Sequence, residues 1–545
     1  MRGWAAPGLS APASQRSLSA ADTAPGRTVS RAERWPLVLS WLTVLGPVVA
    51  ELLVGGYQIG RASLWRDEGY TREVAQRSPA QILALLRHQD AVHGLYYLIM
   101  HLVIGGLGST PAAMRLPSLV AASLAAGLTA ALGRRLAIAA RAPAASATGL
   151  LAGLLFVALP ATTWYAQDAR PYAMATLCAV GASYLLVRGM TEPSRCWWAA
   201  YAAVIVVLAL LNLVALILLA AHAASLLIMR ARIPVTEQAR AQLRAATRRW
   251  LVAAAVAVAA LSPLLYFSSR QSGQLGWVTK PSHKTMAGLL ADFSGSRYLI
   301  PLAIALILAG LAADVSRRQR VVCVPAAVTL PWLVLPPLVL LAVSELKPVY
   351  VERYVVFCMP AVALLMAGGL AWLARLAALT PAGRRYPPLA LLPSALLVAV
   401  IAATVVAPQQ AARRTSSRSD NLVRVASIVA RYERPGDAVL YLPWDTRVVG
   451  LTYPGPFARL ANVSQLKSPI AAASLTGKPV PATLVARRIA GTRRVWTVRW
   501  QHGSALRTPL SVAEARLVAR MHLIRRWTVK SVVLQLYAAT GTNQQ

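Results

Sequence analysis

The chain has 545 residues, of which 57% are hydrophobic and only 14% are charged. A composition this apolar, arranged in long blocks, excludes an ordinary soluble globular protein. The 56 Lys and Arg residues outnumber the 19 Asp and Glu residues, but they cluster in short loops between apolar blocks, as the positive-inside rule describes, so we expect no nucleic-acid partner.

Residues 1–33 are rich in Ala, Ser, Pro and Arg and lack the apolar stretch of a secretory signal, so we predict a disordered cytoplasmic tail. Apolar segments close to the roughly 20 residues that cross a bilayer then recur along residues 34–407. With the Arg-rich loops placed inside, they predict about eleven transmembrane helices, at 36–55, 112–133, 146–163, 172–188, 197–210, 213–229, 250–268, 298–314, 321–343, 354–377 and 387–407.

Two apolar segments are compatible with more than one topology. Counting 93–107 as a span would invert the sidedness of every later basic loop, including that at Arg134, Arg188 to Arg195 and Arg317 to Arg320. We therefore predict an interfacial helix there, inside a first outer loop at 56–111. The block 197–229 is long for one helix, and Asn212 near its middle predicts a break into two.

The character of the sequence changes at residue 408. Residues 408–545 contain 21 Lys and Arg residues against 5 Asp and Glu residues, and no apolar span. Strand-like segments at 438–442, 495–500 and 529–537, and a Ser511/Glu514 capping box before a helix at 515–521, predict a small extracytoplasmic α/β domain. Long domains are translocated largely regardless of charge, and the basic surface suits anionic lipid or a cell-surface polymer.

The first outer loop carries two adjacent acids, Asp67 and Glu68, in the segment Leu-Trp-Arg-Asp-Glu-Gly at 64–69. A transferase that moves a sugar onto a hydroxyl needs a carboxylate to accept the proton of the nucleophile. Asp67 is the predicted base, with Glu68 as its catalytic neighbour. The alternative is that both acids only cap a helix at 71–76.

Further polar residues follow at the predicted outer ends of the helices. His88, Asp90 and His93 precede an aromatic stretch that includes Tyr96 and is typical of a headgroup interface. Three later motifs read Arg-Leu-Pro-Ser at 115–118, Tyr-Ala-Gln-Asp-Ala-Arg-Pro-Tyr at 165–172 and Lys-Pro-Val-Tyr-Val-Glu-Arg-Tyr at 347–354.

In their order and sidedness, these motifs resemble those of the type C (GT-C) membrane glycosyltransferases. They are similar above all to bacterial relatives of the dolichyl-phosphate-mannose protein mannosyltransferases and to the aminoarabinose transferase of lipid A. The resemblance covers roughly residues 36–377 and leaves the C-terminal domain without an assigned motif. It implies a GT-C fold and an inverting transfer from a polyprenyl-phosphate sugar at the extracytoplasmic face of the cell membrane.

The leaving group of that reaction is a phosphate, so cations are needed beside the base. His93, Arg170 and Arg353 are the predicted phosphate-binding residues, with Tyr350 as a hydrogen-bond donor, although the arginines could simply reach for lipid headgroups. Asp90, Tyr96, Arg115 and Asp168 are expected to line or shape the site. For Asp168, a structural pairing with Arg170 or Arg115 is favoured over catalysis.

The sequence shows no ligand cluster for a metal, and Cys178, Cys196, Cys323 and Cys358 lack the spacing of a zinc or disulfide site. The resemblance leaves a divalent metal open, because some members of the family bind one and others need none.

Mannose is the expected sugar, and arabinose transfer in cell-envelope polysaccharide assembly is the alternative. The acceptor is a protein, a glycolipid or a polysaccharide. A transporter or flippase of lipid-linked sugars is a different class of function. It is disfavoured because the acids lie in outer loops and no internal repeat is found. A scaffold that has lost catalysis is the last alternative, and the retained Asp67 argues against it.

Overall fold

The computed structural model describes residues 31–142, 144–192, 194–232, 236–316, 324–501, 515 and 517–539. Up to residue 412, these residues form eighteen α-helices joined by short 3₁₀ turns. The helices are α1 (Arg31–Gly56), α2 (Arg66–Ala75), α3 (Pro79–Leu86), α4 (Gly94–Leu107), α5 (Pro111–Ala139), α6 (Ala145–Ala158), α7 (Pro160–Ala166), α8 (Tyr172–Thr191), α9 (Arg195–Leu211), α10 (Leu218–Arg232), α11 (Glu237–Ala260), α12 (Ser262–Arg270), α13 (His283–Ser294), α14 (Ile300–Ser316), α15 (Pro325–Leu346), α16 (Met359–Leu379), α17 (Pro381–Arg385) and α18 (Leu392–Ala412).

By length and composition, 7 helices of the described chain could cross a membrane, or up to 9 if each of two bent pairs is one span. The bends are 68° between α6 and α7 and 50° between α11 and α12. Both follow from a proline at the start of the second helix, which cannot continue the hydrogen-bond ladder. The predicted spans at 36–55 and 197–210 lie in shorter apolar helices, so the count of eleven stays a prediction.

Several helix limits differ from those predicted. Helix α1 begins at Arg31, so residues 31–33 are helical and only residues 1–30 of the predicted tail lie outside the described residues. The break at Asn212 is confirmed, because α9 ends there and a 3₁₀ turn precedes α10. Helix α18 continues to Ala412, beyond the predicted boundary at residue 407. Helix α13 was not predicted. The Arg317–Arg320 cluster, Cys323, Ser511 and Glu514 lie outside the described residues.

Small residues allow the first helices to pack closely. Gly127 of α5 faces Val44 and Val48 of α1, and Gly153 of α6 faces Pro47, so a β-carbon at either position would overlap its neighbour. Close backbone approach through glycine and alanine is the usual means of helix association in a membrane, where lipid offers no hydrophobic drive. This packing joins α1 and α5, the helices on either side of the predicted outer loop at 56–111.

The C-terminal part contains a five-stranded mixed sheet in the order β2-β1-β5-β7-β6. Strands β1 and β5 are parallel and central, and β7 and β6 add on as antiparallel neighbours. The strands are β1 (Ala438–Leu442), β2 (Ala461–Asn462), β5 (Arg494–Trp500), β6 (Met521–Val529) and β7 (Val532–Ala539), with a separate hairpin of β3 (Gln465–Lys467) and β4 (Lys478–Pro479). Four helices accompany the sheet: α19 (Leu422–Tyr432), α20 (Val448–Thr452), α21 (Pro454–Phe457) and α22 (Ala482–Ile489).

The α/β character of this domain was predicted correctly. Helix α19 packs on one face of the sheet around Trp496, and α22 packs on the other face around Val495. Two details were wrong. The segment 529–537 is not one strand but crosses the turn between β6 and β7, and Met521 begins β6 instead of ending a helix.

The C-terminal domain contacts the first outer loop directly. The hydroxyl of Tyr453 accepts a hydrogen bond from the Leu64 backbone at 3.0 Å, and Asp420 Oδ2 accepts one from the Arg66 backbone at 3.0 Å. Arg77, which is almost fully buried, donates to the backbone carbonyl of Ser474 at 2.7 Å. The start of α2 is therefore held between the membrane helices and the C-terminal domain.

Candidate active site between the helices and the C-terminal domain

A cavity of about 420 Å³ lies where residues of the predicted outer loop at 56–111, the neighbouring helix ends and the C-terminal domain meet. This volume is in the range of about 300–1,000 Å³ that is typical of ligand sites. Its lining includes five of the sequence-predicted site residues, which are Asp67, Asp90, His93, Arg170 and Arg353. The structure thus brings together residues that lie up to nearly three hundred positions apart in the chain.

Asp67 occupies the first turn of α2, with its side chain partly exposed to the cavity. Its carboxylate Oδ2 lies 3.6 Å from the Arg353 Nη2. The Asp67 backbone carbonyl accepts a hydrogen bond from Thr71 Oγ1 at 3.1 Å. The side chain therefore forms one ion pair in the described part of the chain and still faces the cavity, where it can meet a ligand.

Arg353 is enclosed by aromatic rings. Its guanidinium carbon lies 5.7 Å from the ring centre of Trp65, 5.2 Å from that of Trp277 and 5.8 Å from that of Tyr354. Such rings attract a cation without using its N–H donors. Burial lowers the pKa of Arg353, but the neighbouring Tyr172 and Asp67 more than reverse this effect. The pKa is raised overall, so the group stays charged. Arg353 can therefore present its donors to an anion in the cavity.

Arg170, His93 and Asp90 form a second polar group on the wall. Arg170 is buried, and its Nη2 lies 2.8 Å from His93 Nε2. Because a guanidinium offers only donors, His93 must accept at Nε2 and carry its proton on Nδ1, which lies 3.7 Å from Asp90 Oδ1.

Asp90 Oδ2 also accepts a hydrogen bond from Tyr97 at 2.7 Å. Burial would raise the pKa of Asp90, but its contacts with His93 and Tyr97 lower it to about 2. Asp90 is therefore an ionised anchor that fixes the orientation of His93.

Glu68 does not reach the cavity. It is fully buried, and its two carboxylate oxygens each accept a 2.8 Å hydrogen bond from the equally buried Arg115. The Ala169 backbone N–H also donates to Glu68 at 2.8 Å, and that of Trp65 donates at 3.3 Å, closing the first turn of α2.

Burial would raise the pKa of Glu68, but Arg115 holds it below its usual range. The placement favours a positioning role for Glu68 over the catalytic role predicted from the sequence. Glu68 does cap a helix, as the alternative proposed, but that helix begins at Arg66 and not near residue 71.

Asp168 likewise lies behind the wall, and its predicted partner was wrong. Its Oδ1 accepts a 2.9 Å hydrogen bond from the Trp65 indole instead of pairing with Arg115 or Arg170. Burial raises the pKa of Asp168 to about 6, although the charge of Arg418 opposes the shift. Arg418 itself is buried, stacks on Trp164 at 4.0 Å and donates to the Gln167 carbonyl. Asp168 thus fixes the ring that supports Arg353.

Two further predicted residues are outside the cavity lining. Tyr96 is fully buried against Tyr97, with ring centres 6.2 Å apart. Tyr350 is nearly fully buried, and its backbone N–H donates to Ser344 at 2.8 Å. Neither is placed to donate to a group in the cavity as the structure stands, so the predicted phosphate contact of Tyr350 has no geometric support.

The sequence analysis gave no site role to several lining residues, among them Tyr70, Trp277, Asp445 and Trp500. Tyr70 follows Asp67 at helical spacing and was predictable once α2 was known to start at Arg66. Asp445 and Trp500 come from the C-terminal domain, where no local signal pointed to the site. Among the residues that the structure describes, no group of three or more His, Cys, Asp or Glu side chains could hold a metal ion.

Comparison with known proteins identifies the fold. No family model and no curated protein sequence matches the chain. Among solved structures, the chain is similar to ArnT from Cupriavidus metallidurans in the apo state, with a TM-score of 0.55 and 15% identity over 95% of this chain and 100% of that one. ArnT bound to undecaprenyl phosphate gives the same TM-score and identity, over 94% of this chain and 100% of that one.

The oligosaccharyltransferase from Archaeoglobus fulgidus in the apo form is also similar, with a TM-score of 0.51 and 9% identity over 93% of this chain and 75% of that one. Both neighbours have the GT-C fold. The similarity extends over nearly the whole chain, including the C-terminal domain. The chain is therefore a multi-pass membrane protein with the GT-C fold.

Proposed function

We propose that the chain is an inverting glycosyltransferase that moves a sugar from a polyprenyl-phosphate carrier to a hydroxyl acceptor at the extracytoplasmic face. The observation that carries the proposal is the ion pair of Asp67 and Arg353 at the wall of one cavity. A carboxylate that accepts a proton and a guanidinium that binds a phosphate are the two groups this transfer needs side by side.

In the proposed reaction, Asp67 accepts the proton of the acceptor hydroxyl as its oxygen attacks the anomeric carbon. The bond between that carbon and the phosphate oxygen breaks, and its electron pair stays on the phosphate. Attack from the face opposite the leaving group inverts the anomeric carbon, so a β-linked donor sugar gives an α-linked product. Arg353 and Arg170 oppose the charge that develops on the phosphate, and His93 orients Arg170 by accepting its hydrogen bond.

The enclosed arginines support a lipid phosphate as the donor headgroup. Arg353 is fixed by three rings and Arg170 by His93, so both donors are preorganised before a ligand arrives. The structure of the neighbour ArnT with undecaprenyl phosphate adds support for a polyprenyl carrier. Mannose is the sugar we propose, on the motif resemblance, with arabinose as the alternative. The acids in this outer cavity favour transfer over transport.

The test measures transfer of radiolabelled mannose from polyprenyl-phosphate mannose in membranes that contain wild-type protein or Asp67→Asn. Removal of a general base should lower transfer by about a hundredfold or more, while binding of unlabelled polyprenyl phosphate persists. The control is Glu192→Gln, which changes an exposed acid outside the cavity lining. Normal transfer by Asp67→Asn would refute the assigned base. No transfer by the wild type from mannose or pentose donors would refute the enzyme itself.

A further inference from the structure

The cavity has a second wall that the proposed chemistry does not use. It is formed by Asp445 and Trp500 of the C-terminal domain together with Arg66, the residue before Asp67. We propose that this acceptor wall, defined as Arg66, Asp445 and Trp500, binds the sugar ring of a saccharide acceptor. The proposal rests on the proposed glycosyltransferase function and specifies its acceptor class.

The side chains of the acceptor wall hold one another in place. The Trp500 indole Nε1 donates to Asp445 Oδ2 at 3.1 Å. The Arg66 guanidinium carbon lies 5.5 Å from the centre of the Trp500 ring, and the Arg66 backbone is fixed by Asp420. In the described part of the chain, the structure gives the other Asp445 oxygen, Oδ1, no hydrogen-bond partner. The wall is therefore preorganised, with a carboxylate oxygen left to accept from a ligand.

The charges of the acceptor wall balance. The wall contains one guanidinium and one carboxylate and so has no strong preference for an anion. Neighbouring sugar hydroxyls can donate to a carboxylate and accept from a guanidinium at the same time, because each hydroxyl does both. A peptide backbone would instead favour an open strand edge, and Trp500 ends β5, which is paired on both sides.

The position of the acceptor wall beside Asp67 also favours binding of the acceptor over binding of the donor. Arg66 and Asp67 are consecutive in the first turn of α2, so the wall begins beside the proposed base. Tyr70 lies one turn further along the same helix, and burial together with the charges of Asp445 and Asp67 raises its pKa above the usual value. Tyr70 is thus near both carboxylates. A sugar held between Arg66 and Asp445 would place a hydroxyl next to Asp67.

The experiment uses the full-length protein in phospholipid nanodiscs and varies the acceptor at saturating donor. The three acceptors are a free mannose disaccharide, the same disaccharide on a lipid tail, and a Ser- and Thr-containing peptide. The variants are Asp445→Asn and Trp500→Phe, and the latter keeps a ring while removing the indole N–H. Asp437→Asn is the matched control, because Asp437 accepts the same kind of indole hydrogen bond, from Trp496 at 2.9 Å, away from the cavity lining.

Both variants should raise the KM for a saccharide acceptor about tenfold, with polyprenyl-phosphate affinity within about twofold of wild type, whereas Asp437→Asn should leave the acceptor KM unchanged. Use of the free disaccharide or of the lipid-linked one identifies the source of the sugar, and either supports the inference. An unchanged saccharide KM in both variants, or wild-type transfer to the peptide alone or to none of the three, overturns it. A wild type that binds no polyprenyl phosphate refutes the proposed function instead.

Discussion

Gly69 of α2 packs against Thr452 of α20 so closely that a β-carbon at position 69 would overlap the Thr452 hydroxyl. Arg72, on the same helix, donates to the Thr452 backbone carbonyl at 2.6 Å. These contacts join the helix that carries Asp67 to the C-terminal domain. The position of the proposed base therefore depends on a domain that shows no recognisable motif.

Gly69→Ala should displace α2 from the C-terminal domain and move Asp67. A shift of about an ångström in a catalytic group can lower the rate by up to about a hundredfold, and we expect a loss of transfer of that order in a membrane assay. Adding Thr452→Ala to this variant should restore part of the transfer rate, because it removes the overlapping hydroxyl. Gly105→Ala is the control, because open space surrounds this helical glycine of α4. Full activity of Gly69→Ala would show that the contact does not position the base.

Arg353→Lys should weaken binding of polyprenyl phosphate. An ammonium cannot lie flat among three rings or offer the two parallel donors of a guanidinium, so we expect the Kd to rise about tenfold. Binding of the radiolabelled lipid to protein in nanodiscs measures this directly. The matched control is Arg297→Lys, since Arg297 also lies over a ring, that of Tyr298 at 4.7 Å, but outside the cavity. Equal affinity of Arg353→Lys and wild type would remove Arg353 from the phosphate site.

Glu68→Gln should destabilise the fold, because it leaves the buried Arg115 without a counter-charge. Breaking one side of a buried ion pair costs about 3–5 kcal/mol. Thermal unfolding in nanodiscs should show a lower midpoint for Glu68→Gln. Replacing both partners, as Glu68→Gln with Arg115→Met, should recover part of the lost stability. Glu192→Gln, which breaks surface ion pairs with Arg135 and Arg188, should have little effect. An additive double variant would mean that the two side chains contribute independently.

Much of the helical part was predictable from local sequence. Apolar blocks and basic loops located most helices, and Asn212 located the break between α9 and α10. The strands at 438–442 and 494–500 were also predicted closely, since alternation of side chains is a local property. The motifs around Asp67, Arg170 and Arg353 come together because helix ends on one side of a membrane share one surface.

The rest of the site depends on information that no short segment contains. The two adjacent acids were expected to act together, but successive residues on a helix point about 100° apart. Asp67 therefore faces the cavity while Glu68 faces Arg115 in the interior. The contribution of Asp445 and Trp500 arises from long-range docking of the C-terminal domain. The indole partner of Asp168 was missed because a charged partner was assumed where a neutral donor lies.

Asp168 should make stability depend on pH in the weakly acidic range. Burial raises its pKa from 3.8 to about 6 in the folded protein, against the lowering effect of Arg418, and the charge of Glu68 adds to the rise. The folded protein then keeps a proton that the unfolded chain has already released. Stability contributed by this group is therefore full below a pH of about 4, and it is lost as the pH rises through about 6.

Asp168→Asn carries no such charge and can still accept from the Trp65 indole. Its stability relative to wild type should therefore increase as the pH rises from about 4.5 to about 7.5, by an amount on the order of 3 kcal/mol or less. Unfolding midpoints of both proteins in nanodiscs at the two pH values measure this difference. Groups that titrate equally in both proteins do not contribute to it. Asp168→Ala, which removes the acceptor, should be destabilised at both. A difference between Asp168→Asn and wild type that does not change with pH would show that Asp168 stays ionised throughout.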